Sequence, residues 1–175
     1  MSLCVVAFPA MSEADSQWIQ AIRARYDPQY DEIAPHVTLL FPTEAFELDE
    51  LAAHVEDVAR DVEAFDLKIR CALPYQGPLS SRFYLFLVPD EGFSNLVRLH
   101  DQLCQCAYPD RTRIDVPFIP HVTVGVFDDG TECKRTADRL NLQRFEISSR
   151  VSALSIVPGE GDAVVHRQIL LGGQG

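Results

Sequence analysis

One four-residue word occurs twice in this chain and limits what the chain can fold into. Pro35-His36-Val37-Thr38 runs on through Leu39, Leu40 and Phe41, and Pro120-His121-Val122-Thr123 runs on through Val124, Gly125, Val126 and Phe127. The copies lie 85 residues apart in a chain of 175. Val, Thr, Leu and Phe favour strands, and proline is tolerated as the first residue of one. Each copy therefore reads as a strand. Side chains alternate along a strand. Strict alternation puts His36 and Thr38 on one face, with Val37, Leu39 and Phe41 on the other. It puts His121, Thr123, Gly125 and Phe127 together, with Val122, Val124 and Val126 opposite. Brought side by side, the copies supply two imidazoles and two hydroxyls to one cleft.

That set suits a phosphodiester. A neutral imidazole takes a proton from the attacking oxygen, and a protonated one gives a proton to the leaving oxygen. His36 and His121 are the candidates for these two roles. Thr38 and Thr123 are the candidates for binding the phosphate, since hydroxyls donate to the non-bridging oxygens where negative charge sits. The charge is met without a metal, so no metal and no other cofactor is expected.

The rest of the chain repeats the same order of elements. A strand at 3–8, a helix from Ser12, the first motif strand ended by Pro42, an amphipathic helix at 48–64 and a strand at 66–73 form the first set. A buried strand at 82–88, a helix through Leu96, Leu99 and Leu103, the second motif strand, a helix at 132–142 and strands within 144–157 form the second. The stretches 74–81 and 109–117 read as loops. Residues 3–73 and 82–150 thus read as approximate repeats of one bilobal domain spanning 1–175, closed by terminal strands within 151–171. A pseudo-twofold between the repeats would set the motifs face to face across a cleft.

The paired His-Val-Thr strands resemble the signature of the two-histidine (2H) phosphoesterase superfamily, which includes the 2′-5′ RNA ligase/cyclic phosphodiesterase proteins and carries His-x-Thr/Ser-x twice. Both copies match, and the resemblance covers nearly the whole chain. It implies a bilobal α+β fold, with a mostly antiparallel sheet and helices in each lobe. It implies that the lobes exchange strands and that the active cleft lies between them. It also implies hydrolysis of a 2′,3′-cyclic phosphate or a 2′-5′ phosphodiester, with 2′-5′ ligation as a further activity of the scaffold.

Charge narrows the partners. The net charge is −11 and the pI about 4.7, whereas long nucleic acids are gripped through many Lys and Arg contacts to phosphates. A small phosphorylated nucleotide or an RNA end is the expected substrate, with no long nucleic acid and no membrane as partner, and the chain is read as a monomer. The five cysteines are odd in number and fit no disulfide framework, which reads as reduced thiols in the cytoplasm.

Other residues carry weaker signals. Phe127, by alternation, joins the His121 face as a substrate contact. Arg82 and Arg113, with Arg111, are candidates for a second phosphate or the rest of a nucleotide, against the alternative of surface ion pairs in an acidic protein. Tyr84, Phe41 and Phe118 are candidates to stack on a base, against ordinary core packing. His54 reads as solvated, and His166 sits in a terminal strand. His100 and Cys104 share a helix face, with Cys106 nearby, which raises a metal question; a core-facing helix is the preferred reading.

The function expected is a metal-independent phosphoesterase working by two-histidine acid–base catalysis. The rival is a protein that binds a nucleotide or RNA end and has kept the cleft without useful turnover. A binder needs the threonines and one imidazole, not two.

Overall fold

The computed structural model describes residues 2–77, 81–107, 117–161 and 164–172, with the side chains of 106 and 107 set aside. The strands are β1 (Leu3–Ala7), β2 (Ala10–Met11), β3 (Val37–Thr43), β4 (Phe65–Gln76), β5 (Phe83–Glu91), β6 (Val122–Phe127), β7 (Ile147–Val151), β8 (Ala153–Pro158) and β9 (Arg167–Leu170). The helices are α1 (Glu13–Tyr26), α2 (Leu48–Arg60), α3 (Phe93–Ala107) and α4 (Gly130–Leu142).

Local chemistry sets most of the boundaries. Ser12 caps α1 by accepting from the Asp15 amide at 3.1 Å, and Asp129 caps α4 by accepting from the Thr131 amide at 2.8 Å. Both satisfy amides that the first helical turn leaves unpaired. Helix α2 buries Leu51, Ala52, Val55 and Ala59 on one stripe. None of the helices among the described residues is long and apolar enough to cross a membrane.

Among the described residues the strands form one nine-stranded sheet in the order β2-β7-β4-β5-β6-β3-β1-β8-β9, antiparallel at each pairing. The α+β class and the antiparallel sheet are as expected. Where each half was expected to have its own sheet, the two sheets run into one through β6 and β3. From that junction the first strand of each repeat lies next outward, β5 beyond β6 and β1 beyond β3; β4, β7 and β2 then follow on one side, and the terminal strands β8 and β9 on the other. Strands are exchanged, since β4 from the first half pairs with β5 and β8 from the second half pairs with β1. Helices are exchanged as well, with α1 packing against β6 and α3 against β3.

The helices cover one face of this sheet. Leu3, Val5 and Ala7 of β1, Val37 of β3, Leu85 and Leu87 of β5 and Val122 of β6 join helix residues such as Ile19, Leu51 and Leu99 in a single core. The other face is the open one and carries no helix among the described residues. On it Cys4, Val6 and Val157 form a separate small cluster against Phe8.

Three strands run longer than the sequence reading, through prolines expected to end them or to open a turn, while β1 stops at Ala7, one residue short. Strand β3 continues through Pro42 to Thr43, and β4 through Pro74 to Gln76. Strand β5 continues through Pro89. Proline is tolerated where a ladder is irregular, and register shifts occur in the β1–β3 and β4–β5 pairings close to Pro42 and Pro89. The two-residue strand β2, paired with β7, carries no legible signal at that length.

Candidate active site

The two motif strands meet antiparallel, with Val37 of β3 opposite Val122 of β6. Both valines are buried in the core. Carrying that register one residue outward sets His36 opposite Thr123 and His121 opposite Thr38. Cross-strand neighbours have Cβ atoms about 5 Å apart. All four side chains stand on the face opposite the two valines, which is the open face. The quartet thus forms where the halves of the sheet join.

Each ring is held the same way. His36 Nδ1 donates to the Ala34 carbonyl at 2.9 Å, and His121 Nδ1 donates to the Ile119 carbonyl at 2.6 Å. A carbonyl only accepts, so the proton is on Nδ1. Nε2 is left as the working nitrogen, a base when the ring is neutral and an acid when it is charged. The intervening Pro35 and Pro120 fix φ and push the preceding residue to extended backbone. That geometry brings the carbonyl two residues back onto the ring.

The surroundings differ between the copies. His121 lies flat on Phe86, with ring centroids 3.5 Å apart and 18° between planes. His36 has Phe8 at 6.1 Å, tilted by 60°. Burial pulls the pKa of His121 down to about 4, with the charge of His36 adding to the fall and the bond to Ile119 opposing it. Burial also lowers the pKa of His36. There the Ala34 bond and the charge of Asp27 oppose the shift, while Arg23 adds to it. Each imidazole thus disfavours charge on the other.

Behind His36 stands an ion pair that sequence reasoning missed. Arg23 Nε donates to Asp27 at 2.7 Å, and both side chains are almost fully buried. Arg23 also donates to the Gln20 side chain and to the Gln29 carbonyl, and Asp27 accepts from the Gln29 amide. The pair therefore anchors the start of the loop leading to Ala34 and His36. Its signal in the sequence was an Arg and an Asp four apart at the end of α1.

Both motif strands carry a β-bulge one residue after the threonine. Thr38 pairs with Val6 and Leu40 with Val5, so Leu39 is extra. Thr123 pairs with Phe86 and Gly125 with Leu85, so Val124 is extra. A bulge breaks the alternation and turns the following residues over. Leu39 and Leu40 are consequently both buried, and Phe41 is 50% exposed rather than an anchor on the Val37 face. In β6, Phe127 turns into the core, 5.1 Å from Tyr26 of α1, and leaves the His121 face to which alternation assigned it. Gly125 turns with it: a Cβ there would sit 2.9 Å from the Tyr26 Cβ, so this glycine makes room for α1 and not for the cleft. Val126, paired with Tyr84, takes the place on the open face.

The remaining candidates are dispersed. Arg82 is exposed, 3.6 Å from Asp128, and precedes β5 at the end remote from Phe86. Four residue steps along the chain separate it from Phe86, roughly 13 Å. Arg113 and Arg111 lie outside the described residues. His166 is exposed. His54 is not solvated: its Nε2 bonds the Leu103 carbonyl at 3.1 Å and its ring stacks beside Phe46. Cys104 Sγ lies 3.6 Å from His100 Nδ1, but no group of three or more His, Cys, Asp or Glu suited to a metal occurs among the described residues. Tyr75 and Tyr84 are register partners and extend an aromatic row from His121, with Tyr75 5.1 Å and Tyr84 6.1 Å from Phe86.

Known proteins resemble this chain over most of its length. A family model described as the 2′-5′ RNA ligase superfamily matches residues 11–163. A protein of Oceanobacillus iheyensis with a provisional phosphoesterase name is 28% identical over 90% of this chain and 89% of its own length. A similarly named protein of Bacillus licheniformis is 31% identical over 71% of this chain and 70% of its own. Among solved structures, TT0787 of Thermus thermophilus superposes with a TM-score of 0.64 at 19% identity, covering both chains fully. E. coli LigT complexed with 3′-AMP gives 0.58 at 16% identity over 97% of each chain. Kluyveromyces marxianus Usb1 with uridine monophosphate gives 0.59 at 14% identity over 97% of this chain and 98% of that one. These structures share the fold. With the family model spanning most of its length, the chain belongs to the 2′-5′ RNA ligase superfamily.

Proposed function

We propose that this protein is a metal-independent phosphoesterase that hydrolyses a 2′,3′-cyclic phosphate or a 2′-5′ phosphodiester of a nucleotide or RNA end. The observation that carries the reading is the quartet around Val37 and Val122: two imidazoles held through Nδ1, with no partner on Nε2 among the described residues, each opposite the threonine of the other motif. The names of the relatives and the nucleotides in the related structures support a phosphoester substrate.

We assign the roles from the surroundings of the two rings. His121, packed on Phe86 and held neutral, is the base. His36, with Asp27 partly offsetting the effect of burial, is the acid once the phosphate's negative charge arrives. Water loses a proton to His121 Nε2 and its oxygen bonds to phosphorus. The bond from phosphorus to a ribose oxygen breaks, and that oxygen takes the proton from His36 Nε2. Thr38 and Thr123 donate to the non-bridging oxygens, where charge builds. The products are a phosphomonoester and a free hydroxyl. With a ribose 5′-hydroxyl attacking a 2′,3′-cyclic phosphate in place of water, the same two proton transfers release the 3′ oxygen as a hydroxyl and leave a 2′-5′ bond.

The aromatic row on the β6 side gives the base its place. Tyr75 and Tyr84 flank Phe86 on the open face, and planar bases stack on such rings regardless of sequence. The net charge of −11 favours a mononucleotide or an RNA end over a long polyanion.

The test is incubation with the four nucleoside 2′,3′-cyclic monophosphates, and with 2′-5′ dinucleotides, in excess EDTA. Turnover that survives chelation and is lost in both His36→Ala and His121→Ala supports the reading. A protein that binds these nucleotides and turns none over is the binding protein of the rival reading.

A further inference from the structure

His100 is a half-buried titratable side chain that the chemistry does not use. It lies on α3 between Leu99 and Leu103, which face the core, and α3 packs against β3. Its Nδ1 donates to the Leu39 carbonyl at 2.8 Å. Leu39 is the extra residue of the first bulge, one position after Thr38. A bulged residue is left out of the ladder, so its carbonyl needs a partner from elsewhere, and His100 supplies it. The other side of the ring is stacked on Phe118, with centroids 3.7 Å apart and 10° between planes. Phe118 directly precedes Ile119, whose carbonyl holds the His121 ring.

One imidazole therefore touches the bulge beside Thr38 and the segment that orients His121. The second bulge, at Val124, has Tyr26 of α1 packed beside it at Gly125. The tie is thus a feature of the β3 side. Cys104, one turn further along α3, closes the remaining side of the ring, with Sγ 3.6 and 3.8 Å from its two nitrogens.

We propose that His100 is a positioning residue that holds the two motif strands in fixed relation, so that Thr38 and His121 address the same phosphate. This rests on the proposed reaction for its kinetic consequence, while its structural consequence stands alone. A small misplacement of reacting groups is enough to slow an oriented reaction by about 100-fold.

The experiment compares His100→Ala and His100→Phe with His54→Ala as control. His54 makes a comparable bond from α2 to the Leu103 carbonyl of α3, and its partners among the described residues, Leu103 and Phe46, lie in neither motif. Phe keeps a ring against Phe118 and lacks the donor. Without substrate, the readout is proton exchange of the Nδ1–H groups of His36 and His121, followed by nitrogen-15 NMR. In His100→Ala, exchange at His121 is expected to quicken at least tenfold, and in His54→Ala to stay as in the wild type. With a 2′,3′-cyclic nucleotide, kcat is expected to fall at least tenfold in His100→Ala with KM within twofold, and His100→Phe to fall between. Exchange at the wild-type rate in His100→Ala, or a change matched in His54→Ala, overturns the proposal. Absence of turnover in the wild type overturns the phosphoesterase reading instead and leaves the exchange result to decide on His100.

Discussion

Thr123 is the cross-strand neighbour of His36. The relation follows from the pairing of Val37 with Val122, and its twin sets Thr38 beside His121. Each half of the chain thus lends a hydroxyl to the other half's imidazole. A histidine and a threonine two apart on one strand lie side by side along it. Two such strands in antiparallel register surround one point, bordered by both imidazoles and both hydroxyls.

The hydroxyls can be tested without disturbing the sheet. Valine has the shape of threonine and suits a strand, so Thr38→Val and Thr123→Val remove a donor and little else. Loss of one preorganised donor costs about 100- to 1000-fold in rate. We expect each variant to lose activity in that range while its melting temperature stays close to that of the wild type, measured by steady-state kinetics and calorimetry. Full activity in either variant would remove that threonine from the phosphate site.

The pH–rate profile follows from the two imidazoles. His121, with a pKa of about 4, is in its basic form over most of the accessible range. His36 sits below its ordinary 6.5, so in the free enzyme it sheds its proton before neutrality. The profile of kcat/KM should be bell-shaped, rising near pH 4 and falling before pH 6.5. Bound phosphate favours the charged ring, so the alkaline limb of kcat should lie at higher pH than that of kcat/KM. A kcat/KM flat from pH 5 to 8 would contradict these roles.

The same burial acts on stability. In the unfolded chain His121 takes a proton below pH 6.5, and in the folded protein only near pH 4. Its contribution is therefore fully present above 6.5 and is lost as the pH falls toward 4. At 1.4 kcal/mol per pH unit this amounts to about 3 kcal/mol. Urea unfolding at pH 7 and pH 4 should show His121→Asn losing less stability on acidification than the wild type does. An identical loss in the two proteins would mean that His121 is not held neutral.

Gly125 tests the second bulge. A Cβ at this position would meet Phe127 at 2.8 Å and the Tyr26 Cβ at 2.9 Å. Overpacking of a closed core costs about 1–3 kcal/mol. Gly125→Ala should lower stability by that amount in denaturant unfolding, and the α1–β6 contact should be the part disturbed. Phe127→Leu in the same background should relieve part of the clash, because the Phe127 ring edge is the nearest contact and two residues in contact do not act additively.

These residues also mark how far the sequence could be read. The repeated Pro-His-Val-Thr announced the strands, their symmetry and the quartet, because each rests on local chemistry: proline, β-formers and period two. What failed lies beyond Thr38 and Thr123. One extra residue at Leu39 and at Val124 is fixed by the partners Val5 and Leu85, which are distant in sequence. No local pattern registers that, so Phe41, Gly125 and Phe127 were assigned to the wrong faces. The two contacts of His100 are hidden for the same reason, since they appear only when α3 is set against β3 and the segment before β6. The Arg23–Asp27 pair is local, four residues apart; what the spacing does not tell is its burial.

The central claim is that His36 and His121 act together on one phosphate. The most direct measurement is kcat/KM on a 2′,3′-cyclic nucleotide, in EDTA, for His36→Ala, His121→Ala and the double variant. Groups that act as a unit are strongly non-additive. Each single variant should lose about 1000-fold or more, and the double variant should lose little beyond the worse single. Losses that multiply, or a single variant that keeps most of its activity, would contradict the two-histidine account.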